Sequence, residues 1–432
     1  MKEVIVIATN GHKEWPGGDA YKATGIIGME IIKYCQENGI ETPEFIFAPV
    51  GDGGGGTIDA LFYASGGKFN REFIKKNEVV DPLGRPITAE YLSLDAKVKT
   101  AFIEMEKCSG LRLIESDKRN PLLTTSYGIG QLTLDAIERG HERIIIGNGG
   151  AGSHDIGVGW AQALGVEFFD ADDIEIKPPY MNNESIERIR RFSLKEFFRK
   201  ITGKVRIEVA GDVENPLLGR QGAAFTFGRQ KGASEDQLLI LERNAYSWAD
   251  TLESALKKEN EIAYDSHVLA HLGMAGYGKD YRQIPGTAGG GGITYTIMAL
   301  GGYIENGGKL LLDLIDFRER IKLATLVITG EGRFDNTTLR GKAVRGVGEV
   351  TRDVARRQKR IIPVYAICGS IGEYDEARAK DYVDHVVPGL PKFVTPQEFK
   401  DMTDIELTVN LQKATRDAMG IYFKDHKKIQ AR

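Results

Sequence analysis

Four segments of the chain set glycines beside carboxylates, two of them with cations as well, and a fifth is a glycine run without charge; turns of these kinds can bind phosphate or metal. The densest is Leu326-Val327-Ile328-Thr329-Gly330-Glu331-Gly332-Arg333-Phe334-Asp335, followed by Lys342. An apolar run there delivers Glu331, Arg333, Asp335 and Lys342 to one loop, a set able to bind a metal–nucleotide complex. Exposed ion pairs among the same side chains are the alternative, and these contribute little. The second segment, Ala210-Gly211-Asp212-Val213-Glu214-Asn215-Pro216, puts Asp212 at the end of a β-branched run and holds Asn215 extended before proline. A carboxylate at that place can act as base toward a hydroxyl or hold magnesium. Lys231, in Phe227-Gly228-Arg229-Gln230-Lys231-Gly232-Ala233, can meet a phosphate or a carboxylate. Ordinary Asn-Pro turn chemistry and a solvated Lys231 are the bland counterparts.

The other three segments are richer in glycine. Gly51-Asp52-Gly53-Gly54-Gly55-Gly56-Thr57 leaves a strand and opens a helix, where exposed amides favour anions, yet it lacks the Gly-Lys-Ser/Thr ending of a P-loop. A tight turn started by Thr57 and Asp59 explains it equally well. Gly147-Asn148-Gly149-Gly150-Ala151-Gly152-Ser153-His154-Asp155 follows Ile144-Ile145-Ile146 and can cradle phosphate while presenting Asp155 to a metal or hydroxyl. Alternatively, Asp155 caps the helix that follows. Pro285-Gly286-Thr287-Ala288-Gly289-Gly290-Gly291-Gly292 precedes an apolar helix and reads either as a close approach to a ligand or as a hinge.

These turns need elements to position them. Apolar runs predict strands over 4–8, 44–49, 87–93, 100–105, 143–146, 205–210, 326–329, 361–367 and 382–387. Three- and four-residue spacing predicts helices over 24–37, 57–64, 127–139, 237–257, 294–300, 309–321, 342–358 and 406–424. The alternation argues for an α/β protein with largely parallel sheets and ligands beyond the carboxyl ends of the strands. Two consecutive strands at 87–105 point to an inserted mixed-sheet domain, and the polar stretch 170–204 to an embellishment.

Composition narrows the function classes. The 432 residues carry 57 Lys+Arg against 61 Asp+Glu, a net charge of −4, which leaves no basic excess for a nucleic-acid backbone. No apolar run approaches the roughly 18 residues of a membrane span, and the apolar start is too short for a signal-peptide core, so a cytoplasmic protein is expected. Cys35, Cys108 and Cys368 form neither a disulfide framework nor a zinc site. Glycine stands out at 52 residues, where about 7% of a chain is usual.

In order and wording, the segments resemble the bacterial type II glycerate kinase family, which phosphorylates glycerate with ATP and Mg²⁺. The family's DGGEGT loop is similar to Asp52–Thr57 and its ASGL segment to Cys108-Ser109-Gly110-Leu111. Its RNP and TT.G.G stretches match Arg119-Asn120-Pro121, Thr124-Thr125, Gly128 and Gly130. IGGSATNDGG and QALG resemble Gly149–Gly157 and Gln162–Gly165. DV.NPL and FGPQKGA match Asp212-Val213, Asn215-Pro216-Leu217 and Phe227–Ala233, and VITGEG..D.QT..GK matches Val327–Gly332, Asp335, Thr338 and Gly341-Lys342. The chain departs from the family at its P-D-S-F-K-E-S segment, where only Lys13-Glu14 is kept and Asn10 replaces an Asp. It also departs at Gly55, where the loop glutamate is lost, at His154, which replaces Asn, and at Thr337, which replaces Gln.

The resemblance implies two dissimilar α/β domains with the active site in the cleft between them. One is Rossmann-like and discontinuous, expected at 1–85 plus 308–432; the other is the inserted mixed-sheet domain at 86–307. It implies transfer of phosphate from ATP·Mg²⁺ to a hydroxyl of glycerate, usually the 2-OH. Asp212 is expected near the accepting hydroxyl, with Asp155 second, while Lys13 and Lys231 meet the charge of phosphate or substrate carboxylate. Glu331 and Asp335 are the magnesium candidates. Asp52, Gly53, Gly54, Gly149, Gly150, Asn215, Gly289, Gly290, Gly330, Arg333 and Lys342 are expected to contact substrate or nucleotide. A kinase for a different sugar acid, with Asn10, Gly11, Gly55 and His154 lining the acceptor pocket, is one alternative, and a non-catalytic nucleotide or metabolite sensor is the other. The expected partner is a small hydroxy acid, with no nucleic acid or membrane, and a homo-oligomer is left open.

Overall fold

The computed structural model describes residues 2–11, 19–94, 99–177, 180–201, 205–261, 281–390 and 402–430. In chain order the strands are β1 (Val4–Thr9), β2 (Glu44–Phe47), β3 (Phe69–Val80), β4 (Pro86–Leu94), β5 (Thr100–Glu104), β6 (Arg143–Gly147), β7 (Glu167–Phe169) and β8 (Arg191–Ser193). They continue with β9 (Arg206–Gly211), β10 (Tyr303–Asn306), β11 (Leu326–Gly330), β12 (Arg333–Phe334), β13 (Val364–Cys368), β14 (Ser370–Ile371) and β15 (His385–Pro388). Each strand expected from an apolar run has a counterpart, and the α/β class holds. The chain divides into two compact units, residues 1–52 with 56–67 and 306–432, and residues 53–55 with 68–305.

The first unit is built on a five-stranded sheet in the order β15-β13-β11-β1-β2. Every pairing in it is parallel, with Ile7 opposite Ile328 and Ile328 opposite Tyr365. Central parallel strands are covered on both faces, which is why Val4-Ile5-Val6-Ile7-Ala8 and Leu326-Val327-Ile328 are apolar without alternation. The helix Ala20–Glu37 buries Ala23, Ile27, Ile31 and Cys35, one residue per turn, while the helix at 404–430 buries Leu407, Leu411, Ala414 and Ala418 on the same core. Arg416 ties the two helices together through Glu37, its Nη1 donating to Oε2 at 2.7 Å.

The second unit holds a six-stranded sheet in the order β10-β9-β6-β5-β4-β3. Its β5, β6 and β9 are parallel, whereas β3/β4 and β4/β5 are antiparallel, as the absence of a helix between residues 87 and 105 suggested. Ile103, Ile144, Ile146, Trp160, Trp248 and Tyr295 lie in its core. The boundary between the units falls at 67/68 instead of the expected 85/86, because the chain from Phe69 pairs along β4. The short antiparallel pair β7/β8 accounts for part of the stretch read as an embellishment. The helix expected over 309–321 is two pieces, Gly307–Leu314 and Phe317–Arg320, separated where Asp316 takes φ 51°. No helix among the described residues is long and apolar enough to cross a membrane.

Because Ile328 is fully buried in the middle strand of the parallel sheet, Ile328→Ala should cost about 2–5 kcal/mol of stability. Urea denaturation of the variant beside the wild type measures it.

Candidate active site

The strands of each unit carry the glycine turns on their carboxyl ends. In the first unit β11 ends in Gly330, and a β-carbon there would run into the carbonyl of Ile367 on β13, so the turn leaves the sheet main chain against main chain. Glu331 follows and is buried, with Lys342 Nζ 3.5 Å from its Oε2, while its Oε1 has no hydrogen-bond partner among the described residues. Burial raises the Glu331 pKa to about 7; Lys342 and Thr338 pull it down, and the charges of Asp52 and Asp335 add to the rise.

Asp335 differs from its neighbour. Burial pushes its pKa up, but hydrogen bonds from the Thr337 hydroxyl at 2.6 Å and backbone at 2.8 Å, with Lys342 and Arg333 nearby, carry the net shift downward. Arg333 Nε lies 3.6 Å from Asp335 Oδ2. Just past the neighbouring strand β1, Asn10 links this turn to the one at 51–57, its backbone N–H donating to the Gly330 carbonyl at 2.8 Å and its amide Nδ2 to Asp52 Oδ2 at 3.2 Å. An aspartate at position 10 would set a like charge against Asp52, whereas Asn10 presents a donor.

The second unit gathers four turns at the ends of β6 and β9. The Gly53 carbonyl accepts from the Gly149 backbone at 3.1 Å, and a β-carbon on Gly53 would lie 2.6 Å from the Ala210 carbonyl. Asn148 Nδ2 donates to Thr294 Oγ1 at 3.0 Å, tying the β6 turn to the run at 289–292. That run follows from Asn215, whose carbonyl accepts from Gly286 and Ala288, each at 3.1 Å, while its side chain donates to the Gln221 carbonyl at 2.7 Å. Gly291 has φ 74° and passes Lys231 so closely that a β-carbon would lie 2.9 Å from Nζ.

Lys231 is buried, with Nζ donating to the Ser153 carbonyl at 2.6 Å. Burial lowers its pKa to about 7, only partly offset by Asp155. The solvated reading of this lysine therefore fails. His154 is also fully buried, with neither ring nitrogen partnered among the described residues; burial, then the charge of Lys231, holds its pKa well below the usual histidine value.

The candidate carboxylates Asp155 and Asp212 occupy different surroundings. Asp155 is fully buried and accepts from the Ser126 backbone at 2.7 Å, the Ser126 hydroxyl at 2.8 Å, and the Gly157 and Gly159 backbones at 3.1 Å each. Its pKa is raised by burial, against these bonds. Through the Gly159 amide it also meets the first turn of the helix Val158–Ala163, whose cap position is Gly157. Asp212 is half-buried immediately past β9. Lys13 lies outside the described residues. Glu106 and Ser126 were not singled out in the sequence, because neither belongs to a motif that names a chemistry, and Asn148 entered only as part of the glycine turn at 147–155.

The donor set can be tested against magnesium. No group of three or more His, Cys, Asp or Glu among the described residues is arranged to cage a metal. Mg²⁺, however, keeps its waters and takes one or two carboxylates with substrate phosphates. The unpartnered Oε1 of Glu331, with Asp335 and Asp52 in its field, fits that mode.

The Lys231 environment has a measurable consequence. Its pKa is about 7 when folded and near 10.5 when unfolded, so between those values the unfolded chain binds more protons and stability rises with pH. Lys231→Met should therefore be more stable than the wild type at pH 6–7, by a margin that shrinks as pH approaches 10. Denaturation midpoints across that range give the measurement.

Comparison with known proteins places the chain. The profile of the glycerate kinase family matches residues 5–419. A glycerate kinase of Bacillus cereus is 35% identical over 389 residues, covering 88% of this chain and 89% of that one. The glycerate 2-kinase of Escherichia coli K12 is 35% identical over 351 residues, covering 77% and 84%. The crystal structure of a Salmonella typhimurium LT2 protein provisionally designated glycerate kinase 2 matches with TM-score 0.72 at 26% identity, covering 99% of this chain and 100% of that one. With its family profile spanning nearly the whole sequence and its glycine turns formed as described, the chain belongs to the glycerate kinase family.

Proposed function

We infer that this protein is a kinase that transfers the γ-phosphoryl group of ATP to glycerate, with the 2-hydroxyl as acceptor and Mg²⁺ as the accompanying ion. The observation that carries this reading is buried Glu331, its Oε1 unpartnered among the described residues and Lys342 beside it, at the carboxyl end of a parallel strand. It stands in a chain similar along most of its length to named glycerate kinases.

Phosphoryl transfer asks the protein mainly for positioning and for charge neutralisation. In the first unit, Lys342 and Arg333 supply positive charge beside Asp52, Glu331 and Asp335, and Glu331 and Asp335 would hold magnesium, directly or through water. When bound, that ion neutralises charge on the phosphate oxygens. In the second unit, Asp212 orients the accepting hydroxyl and takes its proton. Lys231 provides a cation, and Asp155 keeps the Ser153–Gly157 turn in shape. Gly53, Gly54, Gly149, Gly150, Gly289 and Gly290 bring main chain, not side chain, to the ligand, and Asn215 anchors the last of these runs.

Purified protein with ATP, Mg²⁺ and D-glycerate should release ADP in a glycerate-dependent reaction that yields 2-phosphoglycerate. A panel of three- to six-carbon hydroxy acids run alongside assigns the acceptor: turnover with another acid and none with glycerate would overturn the substrate assignment, and no turnover with any would overturn the kinase. Asp212→Asn should lower kcat by roughly 10²–10⁴-fold with an unchanged melting midpoint, and turnover like that of the wild type would remove Asp212 from its role.

A further inference from the structure

Position 55 is glycine here where the family loop has glutamate, and the backbone does not explain the choice. Gly53 and Gly56 both have φ of 85°, in the left-handed region, but Gly55 is not among the residues with positive φ. Its φ therefore does not call for glycine. Space is what excludes one: the three atoms nearest to a β-carbon at Gly55 all belong to Glu106, with Oε2 in direct collision, Cδ at 2.6 Å and Oε1 at 3.1 Å. The same carboxylate faces the β6 turn, 2.6 Å from where a β-carbon of Gly150 would be.

Glu106 starts the short helix that follows β5 and reaches this spot from 51 residues further along the chain. Its side chain is 15% exposed, and Oε1 pairs with Arg112 Nε at 3.2 Å; Arg112 itself is 76% exposed, too well solvated to hold the carboxylate firmly. Oε2 is turned to the two glycine turns. A carboxylate only accepts hydrogen bonds, so in this position it favours a ligand that brings a hydroxyl and disfavours a phosphate.

We propose that Glu106 supplies, from the helix after β5, the carboxylate that the glycerate kinase pattern carries on the glycine loop, and that it orients the hydroxy-acid substrate there. The inference rests on the kinase reading for its substrate and on the Gly55–Glu106 geometry for its residue. The two positions form an exchangeable pair, with one carboxylate required and two too many.

Four proteins test this: wild type, Glu106→Ala, Gly55→Glu and the double variant Gly55→Glu/Glu106→Ala, each measured for kcat, for KM toward glycerate and ATP, and for melting midpoint. Glu106→Ala should raise the glycerate KM about tenfold or more, leave the ATP KM within about twofold, and leave the midpoint within about 2 °C. Gly55→Glu alone should be impaired by the crowded second carboxylate. The double variant should return to within about threefold of wild-type kcat/KM, a non-additivity that a purely structural role would not produce. Additive losses, an unchanged glycerate KM in Glu106→Ala, or an effect confined to the midpoint would overturn the proposal. Should the wild type not turn over, the glycerate-induced rise in melting midpoint is read on the same four proteins. A rise in the wild type and the double variant but in neither single variant keeps Glu106 in its role and removes the kinase reading, while any other pattern removes Glu106.

Discussion

At the carboxyl ends of β6 and β9 the glycine turns pack main chain directly against main chain. Gly53 lies against the Ala210 carbonyl, Gly149 against Gly54, and Gly147 against the Gly53 carbonyl, so that each turn is shaped by its neighbour's main chain. The rest of the second unit's cluster depends on this packing. It brings Asn148 to Thr294 and sets the 289–292 run over Ser153 and Lys231. The glycines singled out as ligand contacts thus have a first duty to one another, and whatever main chain they offer a ligand is held rigid from behind.

In each unit one ionisable group sits in surroundings that disfavour its charged form. Lys231 and Glu331, in different units, are both brought to pKa values of about 7, one lowered and one raised, by the same cause, loss of water. Groups held in this way gain most from a charge that arrives with a ligand, which is the usual state of residues that bind phosphate and metal. Asn10 follows the same economy of charge, donating to Asp52 where a second carboxylate would repel it.

The sequence was most legible where burial is complete. Ile144-Ile145-Ile146 and Leu326-Val327-Ile328 announce covered parallel strands because both of their faces are apolar. It was least legible at the edge of the mixed sheet. There Phe69–Val80 is the edge strand beside β4, and with Arg71, Glu72 and Lys75 in its sequence it lacks the apolar run that marks the other strands, because an edge strand needs no second apolar face. Motif order located the turns at 52–57, 147–155, 212–215 and 330–342 correctly as strand ends. It kept Asp155 as a second acid–base candidate after Asp212, since the sequence does not show that Asp155 accepts from the Ser126, Gly157 and Gly159 main chain and from the Ser126 hydroxyl. Glu106 escaped notice because its partner, Gly55, is remote in the chain and has no side chain to suggest a pairing.

The sheet of the first unit places β1 between β2 and β11, so Val4–Thr9 waits for a partner some 321 residues downstream. During synthesis at about 5–20 residues per second, that strand remains without its central neighbour for roughly 15–60 s. Residues 68–305, by contrast, run without interruption and have all their sheet partners as soon as they leave the ribosome, apart from the short glycine loop already made. The order of folding is therefore written into the connectivity: the inserted unit is completed first, while an apolar Val-Ile-Val-Ile strand at the beginning of the chain has to be kept from self-association until the last third emerges.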